Sequence, residues 1–211
     1  DGSILAATSR LDTEPSGDPN VNNTGQIWVS VNSGSTWTGY GEIQDWLAVT
    51  CQRVGGTPGG TKLAAVVANG NIFYSTDSGA TWTRYGSLGQ ERDWRGIASN
   101  GDGSKLIASA DGGRIWQSTD SGASWLVLNG DSQPPARDWR GVASNNDGSI
   151  LLTGSVGGNI WKSIDSGANW VEDTTVGVTK NWSSFASNDA GDRLAANASG
   201  DNIWTWPAAA A

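Results

Sequence analysis

Histidine and methionine are absent from this 211-residue chain, and it has a single cysteine. Without histidine, a Ser-His-Asp triad and a histidine-ligated zinc site are excluded. One cysteine excludes an internal disulfide and a Cys/His metal cluster. Without methionine the sequence is not an unprocessed translation product, and it is read as part of something longer, a larger chain or assembly. Basic residues are scarce too. There are 13 against 21 acidic ones, the net charge is −8, and only 16% of residues are charged. Nucleic acid and anionic membrane both demand a basic stripe, so neither is expected as the main partner. No apolar run is long enough to span a bilayer, so membrane insertion is not expected. An acidic, polar, lysine-poor surface suits a secreted protein, extracellular or periplasmic. No window shows a helical period.

What the chain has in excess is glycine, with 30 residues, and tryptophan, with 13. Four copies of one eight-residue phrase organise them. They are Ser30-Val-Asn-Ser-Gly-Ser-Thr-Trp37, Ser75-Thr-Asp-Ser-Gly-Ala-Thr-Trp82, Ser118-Thr-Asp-Ser-Gly-Ala-Ser-Trp125 and Ser163-Ile-Asp-Ser-Gly-Ala-Asn-Trp170. The closing tryptophans are 45, 43 and 45 residues apart. A period of that length marks a radial or stacked repeat. Before each phrase runs a strand with Ile then an aromatic: Ile27-Trp28, Ile72-Phe73, Ile115-Trp116, Ile160-Trp161 and a fifth, Ile203-Trp204. Earlier in each unit a tryptophan opens a run of small and branched residues, from Trp46, Trp94, Trp139 and Trp182. Between these lie turns such as Asp102-Gly-Ser and Asp147-Gly-Ser, each followed by a short apolar strand.

One unit is therefore four short strands, A to D, joined by Gly/Asp/Asn/Ser turns, which is a meander. The fold class expected is all-β, a β-propeller of four-stranded antiparallel blades. About five repeats of 43–48 residues are visible, at approximately 1–45, 46–93, 94–138, 139–181 and 182–207. Asp1-Gly-Ser aligns with Asp102-Gly-Ser, so the first unit lacks strand A, and the fifth stops after strand C. Eighteen strands follow from that count. Small residues in strands A and B suit the crowded axis, and indoles from C and D fill the widening gap outside.

The phrase is the C–D turn. The carboxylates of Asp77, Asp120 and Asp165 can accept backbone N–H bonds across it. Gly79, Gly122 and Gly167 permit positive φ, and Trp37, Trp82, Trp125 and Trp170 are expected between blades. Asn32 replaces Asp in the first copy, so a weaker fastening is expected there. The pattern Ser/Thr-x-Asp-x-Gly-x-Thr/Ser-Trp resembles the Asp-box, or BNR, repeat of sialidases, sortilin-like ectodomains, photosystem II assembly factors and bacterial tryptophan-rich propeller lectins. The resemblance covers nearly the whole chain. It implies a propeller fold and no particular activity, because those proteins share the box and little chemistry.

A sialidase, as the resemblance would have it, needs three arginines on a carboxylate and a tyrosine nucleophile paired with a glutamate. Tyr40 and Tyr85 occupy equivalent repeat positions and Tyr74 lies in strand C, so all three read as structural. No Arg-Ile/Leu-Pro motif precedes the first box. An enzyme is not expected, although paired carboxylates among 21 acids would suit a glycosidase. No cofactor is implied. The one metal reading is Ca²⁺ held by Asp12, Glu14 and Asp18 in the insertion 10–24, against a plain disordered loop.

The face opposite the boxes carries the candidate ligand sites. There stand Arg92-Asp93-Trp94-Arg95, Arg137-Asp138-Trp139-Arg140, Gln44-Asp45-Trp46 and Lys180-Asn181-Trp182, each where strand A begins. An indole beside Arg and Asp can stack on a sugar while the charges bind hydroxyls or a carboxylate. Alternatively, these tryptophans cap the inner core and the Arg–Asp pairs bridge blades. Two functions follow. One is a lectin-like carbohydrate-binding module with repeated weak sites. The other is a structural or adhesion propeller that binds extracellular protein. Exposed indoles would favour the first and buried ones the second.

Overall fold

The computed structural model describes residues 4–9, 25–53, 61–86, 92–128, 132–175 and 179–207. Among them every regular element is a strand. The first sheet holds β1 (Leu5–Thr8), β2 (Ile27–Ser30) and β3 (Thr38–Tyr40). The second holds β4 (Trp46–Cys51), β5 (Leu63–Val67), β6 (Ile72–Ser75) and β7 (Thr83–Arg84). The third runs β8 (Trp94–Ser99), β9 (Leu106–Ala110), β10 (Ile115–Ser118) and β11 (Leu126–Val127). The fourth runs β12 (Trp139–Ser144), β13 (Leu151–Ser155), β14 (Ile160–Ser163) and β15 (Val171–Asp173). The fifth has β16 (Trp182–Ser187), β17 (Arg193–Ala198) and β18 (Ile203–Pro207). Each sheet is an antiparallel meander. These are blades of a β-propeller, and the 18 strands among the described residues match the number read from the repeats. No helix among the described residues is long and apolar enough to cross a membrane. The insertion 10–24, with its calcium reading at Asp12, Glu14 and Asp18, lies outside the described residues.

Neighbouring blades pack through their inner strands, β4 on β8, β8 on β12 and β12 on β16. Backbone hydrogen bonds stitch both ends of these seams. At one end the D–A link of each blade pairs with the B–C turn before it, as Gly70 with Arg92, Gly113 with Arg137 and Gly158 with Lys180. At the other end the A–B turns form a chain. Arg53 N–H donates to Gly101 O (2.8 Å), Gly101 N–H to Asn146 O (2.7 Å) and Asn146 N–H to Asp189 O (3.0 Å). Polar backbone that would otherwise be orphaned at blade edges is thereby satisfied.

The box turns are built as their residues dictate. Asp120 Oδ1 accepts from the Ser124 backbone N–H (2.8 Å) and Ser118 Oγ (2.8 Å), and Ser118 Oγ accepts from Gly122 N–H (2.9 Å). Asp77 and Asp165 repeat the arrangement. Asn32 keeps it as well, accepting from Thr36 N–H (2.9 Å) and Ser30 Oγ (2.9 Å), so the fastening there loses charge and not geometry. Gly122 has φ 95°, and Ser121 before it has φ 62°, so two left-handed residues in succession make the turn. The box then seats on the preceding blade, where a Cβ on Gly79 would meet Val29 at 2.8 Å.

That seating corrects the expectation that all four box tryptophans are buried. Trp125 and Trp170 are buried, Trp82 is half-buried, and Trp37 is 41% exposed. Among the described residues Trp37 packs against no neighbouring sheet as Trp125 does. A second correction concerns where the indoles pack. The fully buried tryptophans are Trp46, Trp94, Trp139 and Trp182, at the start of strand A, whereas Trp28, Trp116, Trp161 and Trp204 of strand C are half-buried.

Candidate functional site

The site residues expected at the start of strand A lie at a recurrent irregularity. The A–B register shifts after Trp46, Trp94, Trp139 and Trp182, a bulge-type irregularity in each of the four blades that have a strand A. A bulge re-aims side chains. Here it turns each indole into the seam and leaves the next residue, such as Arg95, without a partner in the ladder. Trp94 Nε1 donates to Gly70 O of the preceding blade (3.1 Å), and Trp182 Nε1 donates likewise to Gly158 O (3.0 Å). Trp139 and Trp46 reach carbonyls of their own links, Pro135 O (3.0 Å) and Glu42 O (3.2 Å). Each ring meets the strand C aromatic of its own blade. Trp94–Trp116, Trp139–Trp161 and Trp182–Trp204 are T-shaped at 6.1, 6.4 and 6.4 Å, and Trp46–Phe73 at 5.0 Å.

These four indoles therefore have no face free for a sugar, and as stacking platforms the expectation is corrected. The physical reason is that an indole buried between blades with a carbonyl partner for its Nε1 gains the full burial of its ring and leaves no polar atom unpaired.

The charged partners remain at the surface and are linked across blades. Asp111, on the B–C turn of the third blade, accepts Arg95 of that blade through Nη2 (2.9 Å) and Nε (3.2 Å). The same carboxylate oxygen receives Arg140 Nη1 of the fourth blade at 2.9 Å. Arg95 also pairs with Asp93. Asp138 accepts the backbone N–H of Gly112 at 3.2 Å, tying its link to the preceding turn. Arg92 lies 4.7 Å over the Trp116 ring and Lys180 lies 4.6 Å over Trp204, a cation–π contact repeated two blades apart. The structure thus brings together Asp93, Arg95, Arg140 and, from outside the expected set, Asp111. At the Trp46 and Trp182 copies Leu47 and Ser183 stand in place of the arginine, and in the fifth blade Lys180 pairs with Asp201 instead.

The opposite end of the seams holds a cavity of about 260 Å³. The C-terminal ends of β4, β8, β12 and β16 line it, so four blades meet there around an open hollow. Ile97, Val142 and Phe185 are among its apolar walls, and Thr50, Ser99 and Ser144 are among its hydroxyls. Arg53 crosses its mouth from the second blade to the fourth, where Nη2 donates to Ser144 O at 3.2 Å. Its Nη1 stands 4.0 Å from Asp189 of the fifth blade. Cys51 is half-buried in the wall. Burial pushes its thiol pKa up, against a smaller opposing pull from Arg53. The repeat held a signal for this site. Arg53 occupies the place of Gly101, Asn146 and Asp189 in the other units, so a cation replaces a turn residue there.

Box carboxylates take no part in either region. Hydrogen bonds from Thr81 hold Asp77 below the usual carboxylate range, and those from the Asn169 backbone and side chain do so for Asp165. For Asp120, burial pushes upward but the bonds from Ser124 and Ser118 outweigh it. Among the described residues no group of His, Cys, Asp and Glu is placed to hold a metal.

No protein-family model matches the chain, and no curated protein sequence matches it. Solved structures do. A GH74 xyloglucanase from Xanthomonas campestris superposes with TM-score 0.65 at 18% identity, covering 97% of this chain and 35% of that one. A nidogen/laminin complex superposes with TM-score 0.66 at 13% identity, covering 97% and 74%. YCF48 from Cyanidioschyzon merolae superposes with TM-score 0.63 at 16% identity, covering 86% and 63%. The chain spans about a third of the xyloglucanase's length. At these identities the likeness is one of fold, a β-propeller, in proteins that include a glycoside hydrolase and protein-binding propellers.

Proposed function

We propose that this chain is a non-enzymatic binding module whose partner is a polypeptide, working in a secreted setting, extracellular or periplasmic. The observation that supports it is the complete burial of Trp46, Trp94, Trp139 and Trp182. A repeated lectin site needs an open aromatic face at each copy, and these copies have none. What remains on that end of the blades is an alternating set of half-exposed ions, Asp93, Arg95, Asp111 and Arg140, joined across a seam. Such a fixed pattern of charges suits register and selectivity at a protein surface. The same pairing supports the non-enzymatic reading, because Asp93 and Asp111 both answer one guanidinium and neither stands free as an acid or base. A likeness to a nidogen/laminin complex, and to a YCF48 bound to a D1 peptide with TM-score 0.55, is in keeping with it.

A carbohydrate reading keeps one foothold, the half-open indole of Trp37, away from the expected arc of sites. The test pairs a glycan array with an immobilised peptide library, each probed with the native chain and with Arg95→Ala/Arg140→Ala. Peptide binding that weakens in the double variant, with no glycan retained, is the expected result. Glycan binding lost in Trp37→Ala would restore the lectin reading, and cleavage of an arrayed glycan would restore a glycosidase.

A further inference from the structure

The mouth of the axial cavity combines three features. A guanidinium lies across it, apolar side chains line its walls, and hydroxyls stand between them. Arg53 carries five N–H donors in a planar fork. One of them meets Ser144 O at 3.2 Å, and the nearest carboxylate, Asp189, is 4.0 Å away and 76% exposed in its side chain. An ion pair so long and so wet holds the guanidinium only weakly. We propose that this mouth is a binding site for a small carboxylate bearing a short apolar group, from a free acid or from the end of a polypeptide chain.

The chemistry narrows the ligand from both sides. A carboxylate matches the guanidinium fork in a bidentate, charge-assisted pair. Phosphate, as a dianion, would call for a second cation, and Arg53 is the only cation among the cavity's lining residues. Ile97, Val142 and Phe185, from three different blades, would cover the apolar group. At about 260 Å³ the space suits a few heavy atoms and not a sugar chain. Cys51 does not compete as an anion, since its burial keeps the thiol protonated at neutral pH. Asp189 does compete, so the bound anion displaces a resident partner.

The site is independent of the polypeptide reading above and is tested separately. Calorimetry and amide chemical shifts would follow titration of the native chain with sodium butanoate, with Gly-Gly-Val as the free acid, and with the same tripeptide amidated. The free carboxylates are expected to bind and to shift the amides of Thr50, Ser99 and Ser144, while the amide does not bind. Arg53→Gln should weaken binding by about tenfold or more, as loss of a charge-assisted pair implies. Asp189→Asn should strengthen it, and this second variant leaves Arg53 and the cavity wall untouched. Binding by the tripeptide acid alone would assign the site to chain ends, and binding by butanoate as well would assign it to free acids too. Equal binding of the amide, indifference to Arg53→Gln in a folded variant, or no binding by either acid would overturn the proposal.

Discussion

Asp111 Oδ2 receives Arg140 Nη1 from the next blade at 2.9 Å while already holding Arg95 of its own blade. One carboxylate thus couples two blades whose backbones are joined nearby at Gly113 and Arg137. All three side chains are partly screened by protein, with exposures of 18–29%. Their coupling should exceed that of a fully exposed pair. Asp111→Ala is expected to destabilise by about 1–2 kcal/mol. A double-mutant cycle on Asp111 and Arg140 should return a coupling of about 1 kcal/mol, held from rising further because Arg95 keeps the carboxylate paired when Arg140 is removed. Coupling indistinguishable from zero in urea denaturation would make the contact a bystander.

Acid should loosen the boxes. Asp77, Asp120 and Asp165 have folded pKa values lowered by the hydrogen bonds they accept. A lowered folded value means that ionisation favours the native state. The contribution is whole above the unfolded value of about 4 and is lost as pH falls through the lower folded values. The melting temperature should therefore hold steady from neutrality and decline below about pH 4. In Asp77→Asn/Asp120→Asn/Asp165→Asn that decline should be shallower. The triple variant should still fold, because Asn32 already makes the same turn with a neutral side chain. An identical acid slope in both proteins would place the loss elsewhere.

How much of this was legible in the sequence follows from what each residue reports on. Ile27, Ile72, Ile115, Ile160 and Ile203 each start a strand in the structure, and so do Trp46, Trp94, Trp139 and Trp182. Alternation and turn chemistry are local, so the repeats carried them. Whether Trp94 faces solvent or seam is not local. It depends on a bulge at Arg95 and on Gly70 of another blade offering a carbonyl to the indole N–H. The same holds for Asp111, which lies outside the Arg-Asp-Trp-Arg phrase yet is the residue that joins two copies of it. Arg53 was readable only by aligning the A–B turns, where it stands out from Gly101, Asn146 and Asp189.

The box tryptophans should separate by position. Trp125 is buried in a core cluster that also holds Ala64, Val66 and Ile72 of the second blade. Trp125→Ala should cost about 3–5 kcal/mol, as for a large buried aromatic. Trp37 is 41% exposed, and Trp37→Ala should cost under about 1 kcal/mol. Equal losses in chemical denaturation would mean that Trp37 has a packing partner in solution, which a second measurement by tryptophan quenching would reveal.

The last prediction concerns blade spacing. Gly141 lies on β12, the inner strand of the fourth blade, with no left-handed φ to explain the glycine. Its reason is proximity. A Cβ there would stand 2.8 Å from Ser184 Cα and 2.9 Å from Ser183 O, backbone atoms of the fifth blade that no rotamer change can move. Gly96 in the third blade meets Arg140 O at 2.8 Å in the same way. Gly141→Ala must therefore separate two inner strands, straining the nearby hydrogen bond from Thr153 Oγ1 to Gly141 O. Overpacking of this kind costs about 1–3 kcal/mol. Gly157→Ala is the control. That glycine has open space around it, and at φ 62° its cost is the conformational one alone, about 1 kcal/mol. Hydrogen exchange distinguishes the two. Gly141→Ala should speed exchange along the seam between β12 and β16, whereas Gly157→Ala should leave that seam unchanged. Protection at Ser184 and Asn146 equal to that of the native chain in Gly141→Ala would show that the blades absorb a methyl group without parting.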